Sequence, residues 1–130
     1  MAVMVCDHPM IRQSLGELRR KETPPLEFRS RVGELARYLT YEAARDLALA
    51  PVEIETPIQK TVGHRVAEER IILAPILRAG LAMIEGAIAT FPHAQVRHIG
   101  IFRDEKTALP VEYYVKLPRQ LDPETLVIIL

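Results

Sequence analysis

The sequence has a single cysteine, no surplus charge of either sign, and no common phosphate- or metal-binding signature. Each absence excludes something. Cys6 has no second cysteine to pair with, so an internal disulfide cannot form. This fits a reducing compartment, and the residue reads as a small buried hydrophobe. Seventeen lysines and arginines are balanced by seventeen aspartates and glutamates. The signs also interleave locally, in "RQSLGELRRKE" and "EFRSRVGELAR", as they do on solvated helix faces. No global field draws nucleic acid or an anionic membrane, and no basic stripe is present to follow a phosphate backbone. A membrane-spanning helix needs roughly 18 or more apolar residues in a row, and no run approaches that length. The start "MAVMVCDHP" lacks the charged region and long apolar stretch of a signal peptide. The expectation is a soluble, cytoplasmic protein with no nucleic-acid partner and no membrane partner.

Chemical signatures are equally sparse. The four histidines, His8, His64, His93 and His98, form no i,i+4 pair, and no other cluster has metal-ligand spacing. No GxGxxG, Walker A, GxSxG or CxxC motif occurs, which removes dinucleotide-binding, kinase-type and hydrolase readings.

What is present is an ordinary globular composition, 48% hydrophobic and 26% charged over 130 residues, consistent with one domain. "DHPMIRQSLGELRRKE" predicts a first helix, capped by Asp7 or His8, with Pro9 in its first turn and a stripe of Ile11, Leu15 and Leu18. "TPP" breaks it. A second helix is predicted from about Leu26 to Leu47, with Phe28, Val32, Leu35, Leu39 and Ala43 recurring every three or four residues. "PVEIETPI" alternates like a half-exposed strand, and "GHRVAEER" reads as a turn region. "RIILAPI", "AQVRHIGIF" and the closing "LVIIL" read as strands covered on both faces, with a helix from Gly80 to Ala89 after the first of them. "RDEKTALPVEYYVKLP" reads as a polar hairpin or arm whose outgoing strand is Val111 to Lys116. Strand, helix, strand and strand favour an α/β class with a parallel sheet and covering helices. The two N-terminal helices occupy about 1–50 and the start of the α/β core 51–130, with the arm at about 103–118.

One stretch stands out: "IILAPILRAGLAM" carries an always-charged Arg78 to the end of an apolar strand and follows it with Ala79 and Gly80. Ligands of doubly wound sheets bind at the carboxyl ends of the strands. A guanidinium there needs an anion, and small neighbours let a ligand reach main-chain N–H groups at the next helix N-terminus. The alternatives are a structural ion pair, with Glu85 for example, or a side chain that reaches out to solvent. Arg103 repeats the pattern at the end of "VRHIGIF", so the pair could converge on one polyanion. Asp104, Glu105 and Lys106 taken alone read as a solvated turn. Tyr113 and Tyr114 are adjacent on a strand, so alternation would let only one of them face a ligand at a time.

The blocks "HPMIRQSLGELRRKETPPLEFRSRVGELARYLTYEAARDL", "VEIETPI", "PILRAGLAMIEG", "HIGIFRDEKTALPVEYYVKLP" and "LVIIL" run in an order that resembles the bacterial uracil phosphoribosyltransferases, with "PILRAGL" and "RDEKTALPVEYYVKLP" the most specific parts. The resemblance implies a type I phosphoribosyltransferase-like parallel sheet with flanking helices. It also implies conversion of uracil and 5-phosphoribosyl 1-diphosphate (PRPP) to UMP and diphosphate in pyrimidine salvage. Mg²⁺ would accompany PRPP, GTP serves some members as an allosteric activator, and a homodimer or higher homo-oligomer is implied. Arg78, Ala79 and Gly80 resemble the family's diphosphate-binding loop, and Arg103 resembles the PRPP-contacting arginine at the base of its arm. No catalytic residue and no protein metal ligand is assigned.

In the family, a strand like "LVIIL" runs into an acidic, glycine-rich loop that holds the ribose hydroxyls and cradles the 5′-phosphate. A later segment recognises uracil. Neither is present in these residues, so the chain is expected to be an incomplete domain, cut short inside a strand and inactive as it stands. The alternatives are a non-catalytic truncated homologue that acts as a dimerising or regulatory partner, and an RNA-binding regulator, against which the balanced charge argues.

Overall fold

The computed structural model describes residues 3–130. The first helix, α1 (Pro9–Leu18), starts where His8 Nδ1 accepts the Met10 N–H at 3.2 Å, with Pro9 in the first turn. It stops sooner than its amphipathic pattern suggested. The N–H groups of Arg19 and Arg20 turn back to Leu15 and Glu17, and Thr23 Oγ1 donates to the Glu17 carbonyl at 2.6 Å. The second helix, α2 (Pro25–Ala43), begins after Pro24, which holds an extended backbone.

The two helices are joined by a polar knot as well as by the expected apolar stripe. Leu15 is left exposed, whereas Ser14 is 1% exposed and donates to Glu34 Oε2 at 3.0 Å. Arg31 Nη1 donates to the same oxygen at 2.9 Å, and Tyr38 OH donates to Oε1 at 3.0 Å. Arg31 first, then Tyr38 and Ser14, hold the Glu34 carboxyl below the usual glutamate range against the opposing effect of burial.

Strands β1 (Leu49–Glu55) and β2 (Lys60–Val66) form an antiparallel hairpin, with Val52 opposite Gly63 and Glu55 opposite Lys60. Thr56 closes the turn: its N–H donates to the Gln59 carbonyl, and its hydroxyl accepts from the Gln59 N–H, both at 3.0 Å or less from their partners. The segment "GHRV", expected as a turn, is therefore most of β2. Every residue of β1 is exposed, so neither face of the hairpin carries the apolar alternation that marks a covered strand.

The core sits around β3 (Ile71–Ala74), whose four residues are all buried. It is flanked by β5 (Gln95–Val96) and β8 (Leu126–Ile129), both parallel to it. Ile71 and Leu73 pack with Ala87 and Phe91, and the Ile71, Leu73 and Phe91 side chains each contribute about 1.5–3 kcal/mol by leaving water. β3 stops before Pro75, although two bonds to the β8 side carry on, from Leu130 N–H to Ala74 O at 3.1 Å and from Ile76 N–H to Leu130 O at 2.8 Å. The chain moves into a second sheet, in which β4 (Ile76–Leu77) runs parallel to β6 (Ile99–Arg103), and β6 is antiparallel to β7 (Pro110–Val115). Between β4 and β5 lies α3 (Leu81–Thr90), which packs against α2. The architecture is the expected α/β arrangement of parallel strands, covering helices and an arm.

Candidate functional site

Arg78 leaves the end of β4, and Arg103 ends β6. The two strands are hydrogen-bonded neighbours running in the same direction, with Leu77 opposite Gly100, so their carboxyl ends share one edge. Arg103 lies three residues beyond Gly100. The two arginines that the sequence places at strand ends thus follow neighbouring parallel strands, although Arg103 does not line the hollow at Arg78.

Arg78 is exposed, and among the described residues neither it nor Arg103 is in an ion pair. The alternative pairing of Arg78 with Glu85 is absent. In front of Arg78 opens a hollow of about 590 Å³, walled by Phe28 and Val32 of α2, Leu77, Ala82 and Met83, and closed on one side by Leu130.

The loop between β4 and α3 is tightly wound. Gly80 N–H donates to the Ile76 carbonyl at 2.8 Å, Leu81 N–H to Arg78 O at 3.2 Å, and Ala82 N–H to Ala79 O at 3.2 Å. These bonds occupy the amides at the start of α3. Among the described residues, the N–H groups of Arg78 and Ala79 have no acceptor. The open main-chain donors therefore lie two and three residues before Leu81, the first residue of α3. Gly80 is small for another reason: the backbones of Ile76 and Leu130 pass directly beside it. The Leu77–Arg78 peptide bond is cis.

The arm begins at Arg103. Its loop, residues 104–109, leads into β7, whose residues are all exposed. The β6–β7 register shifts between Gly100 and Ile101, so that Gly100 faces Tyr114 while Ile101 faces Glu112, with Tyr113 as the extra residue. The Tyr113 ring covers Gly100, where a Cβ would meet Cζ at 2.6 Å, and its centroid lies 6.0 Å from that of Phe102. Cross-strand partners share a face. Tyr114 by pairing and Tyr113 by contact therefore lie on the same side, and the strict alternation expected for them does not hold at this bulge.

Two unpaired guanidinium groups and two unpaired amides are all donors. Such a set suits a multiply charged oxyanion, which a guanidinium can grip through two parallel hydrogen bonds. Among the described residues there is no group of three or more His, Cys, Asp or Glu able to hold a metal ion, and no helix is long and apolar enough to cross a membrane. Sequence reasoning did not foresee the contribution of Leu130, nor that of Phe28 and Val32, although both α2 residues belong to the apolar stripe read there.

The chain resembles known proteins over nearly its whole length. A family model described as "Uracil phosphoribosyltransferase" matches residues 5–130. The chain is 46% identical over 127 residues to a uracil phosphoribosyltransferase of Symbiobacterium thermophilum, covering 98% of this chain and 61% of that protein. It is 49% identical over 117 residues to one from Lactococcus lactis subsp. cremoris, covering 90% of this chain and 56% of the relative. A solved structure, the AQ2163 protein from Aquifex aeolicus, superposes with a TM-score of 0.89 at 35% identity, over 98% of this chain and 60% of that one. The chain thus spans about three fifths of the length of the relatives it matches.

Proposed function

The chain belongs to the uracil phosphoribosyltransferase family, and on that premise we propose that it supplies the leaving-group half of the reaction of uracil with PRPP to give UMP and diphosphate in pyrimidine salvage, in the cytoplasm. The observation that carries this reading is Arg78: a guanidinium with no ion-pair partner among the described residues, beside an open hollow, on the same sheet edge as Arg103.

In this transfer the bond from ribose C1 to the diphosphate oxygen breaks, and a bond from C1 to uracil N1 forms as that nitrogen gives up its proton. The ribose passes through an oxocarbenium-like centre while negative charge gathers on the leaving diphosphate. The protein's task is to position the reactants and neutralise that charge. Arg78, Arg103 and the N–H groups of Arg78 and Ala79 would receive the diphosphate oxygens, with Gly80 letting the loop close behind them. Charge-assisted hydrogen bonds contribute about 1.5–3 kcal/mol each, so this set can bind PRPP measurably. It includes no group that would hold the ribose 5′-phosphate or uracil. With no metal-holding cluster among the described residues, Mg²⁺ is assigned to the substrate, carried in on the diphosphate.

A homodimer is part of the proposal. The β1–β2 hairpin leaves Leu49, Val52, Ile54, Ile58 and Val62 in solvent, and a lone two-stranded hairpin is marginal in water. Its carboxylates Glu53 and Glu55 and its cations Lys60 and Arg65 offer opposite charges to a second copy related by a two-fold axis.

Calorimetric titration of the chain with PRPP and Mg²⁺ tests the reading. Saturable binding without UMP formation when uracil is added is the expected result, and GTP added to the same cell tests whether it strengthens PRPP binding. A chain that fails to bind PRPP while still dimerising would be the non-catalytic partner instead.

A further inference from the structure

The turn that follows Arg103 has a fastening problem. Arg103 is the last paired residue of β6, and its partner across the ladder is Pro110, which has no N–H to donate. The arm is closed one residue further out. Asp104 N–H donates to the Leu109 carbonyl at 3.0 Å, and Ala108 N–H donates to the Asp104 carbonyl at 2.9 Å. Inside this ring a single oxygen, Asp104 Oδ1, accepts three hydrogen bonds. They come from Lys106 N–H at 3.0 Å, Thr107 N–H at 2.8 Å and Thr107 Oγ1 at 2.9 Å. Ala108 completes the turn at φ 56°, a left-handed conformation that a non-glycine residue holds only when its surroundings impose it.

The direction of that carboxylate matters as much as its bonds. Asp104 stands next to Arg103 and two residues from Lys106, yet among the described residues it forms an ion pair with neither. The Thr107 amide, the Thr107 hydroxyl and the Lys106 amide, in that order, hold its carboxyl below the ordinary aspartate range. An acid turned toward Arg103 would cancel the charge that a polyphosphate requires. This one is turned into its own loop.

We propose that Asp104 is a positioning residue for polyphosphate binding: its carboxylate fixes the turn on which Arg103 is mounted and leaves the Arg103 guanidinium unpaired for the ligand. The inference rests on the diphosphate reading of Arg78 and Arg103 and adds to it a residue that need not touch the substrate. Residues 105–107 form a turn with Glu105 and Lys106 exposed, as the sequence suggested, and the inference adds a role for Asp104 within it.

The test is a PRPP–Mg²⁺ titration of the chain alongside Asp104→Ala, Asp104→Asn, Thr107→Val, Arg103→Ala and the Arg103→Ala/Asp104→Ala double variant, with amide hydrogen exchange on each. Asp104→Ala is expected to weaken PRPP on the order of tenfold, the scale of ordering one or two interfacial groups on binding. It should also speed exchange at Lys106 and Thr107 while leaving Ile71–Ala74 protected. Asp104→Asn keeps an acceptor oxygen and should retain most of the affinity. Thr107→Val removes one donor at the surface and should weaken binding less, in the same direction. In the Arg103→Ala background, Asp104→Ala should have no further effect, because residues that act through one another are not additive. Parent-like affinity for both Asp104→Ala and Thr107→Val, or a fully additive loss in the double variant, overturns the proposal. If Arg103→Ala weakens PRPP and Asp104→Ala does not, only this inference falls. If Arg103→Ala binds as tightly as the parent, the diphosphate reading falls and takes this inference with it.

Discussion

A Cβ placed on Gly80 would lie 2.6 Å from the carbonyl oxygen of Leu130 and 2.8 Å from the amide nitrogen of Ile76. Both obstacles are backbone, and both are tied down, since Ile76 N–H donates to Leu130 O at 2.8 Å. Gly80→Ala must therefore push apart the floor of the hollow. The expected loss is about 1–3 kcal/mol, read as a lower urea midpoint at an unchanged slope.

Arg78 is expected to act on the diphosphate alone. In a protein built from this chain and extended to the length of its relatives, Arg78→Ala should weaken PRPP by roughly 10- to 150-fold, the equivalent of one charge-assisted hydrogen bond of about 1.5–3 kcal/mol, while uracil affinity changes little. Arg78→Lys keeps the charge but loses the planar fork and should also bind PRPP more weakly. Equal loss of both ligands would count against a diphosphate grip. Separate titrations with each ligand decide it.

Two glycines at the α2–α3 contact should respond in opposite ways. A Cβ on Gly86 would come within 1.9 Å of the Gly33 carbonyl oxygen, whereas a Cβ on Gly33 meets nothing nearer than Ala82 O at 4.0 Å. Gly86→Ala should separate the helices and destabilise the protein by at least about 1–3 kcal/mol. Gly33→Ala should be tolerated and can stabilise by up to about 1 kcal/mol through helix propensity. Thermal melts of the two variants check the contrast.

The Glu34 knot should make stability depend on acid. Its folded carboxyl titrates below the unfolded one because of Arg31, then Tyr38 and Ser14. Its contribution is therefore fully present above the usual glutamate range, and is lost as pH falls through that range to the lower, folded value. Glu34→Gln should flatten this part of the acid limb. Unfolding midpoints measured stepwise from neutral pH down to about pH 3 would reveal it, and identical profiles for parent and variant would remove Glu34 from the account.

How much could be read beforehand depends on what covers each segment. Ile71–Ala74 was legible because a strand buried on both faces has to be continuously apolar. "GHRV" was not, because β2 lies in an exposed hairpin where no core selects an alternating pattern. Arg78 announced itself as a charge closing an apolar run. The acceptor-free amides of Arg78 and Ala79, the wall made by Leu130 and the inward turn of Asp104 depend on the path of the backbone, which composition does not record. Tyr113 and Tyr114 obeyed the two-residue repeat in the sequence but meet a bulge in the sheet, and an added residue reverses the side on which a side chain emerges.

Pro75 has a mechanical consequence. The seven residues from Ile71 to Leu77 form one continuous thread stitched into two different sheets, and Arg78 hangs from its end. A tug on that arginine is passed to Ile71–Ala74, whose four residues are all buried, which should make the seat beneath it stiff. β7, whose six residues are all exposed, has no such anchorage.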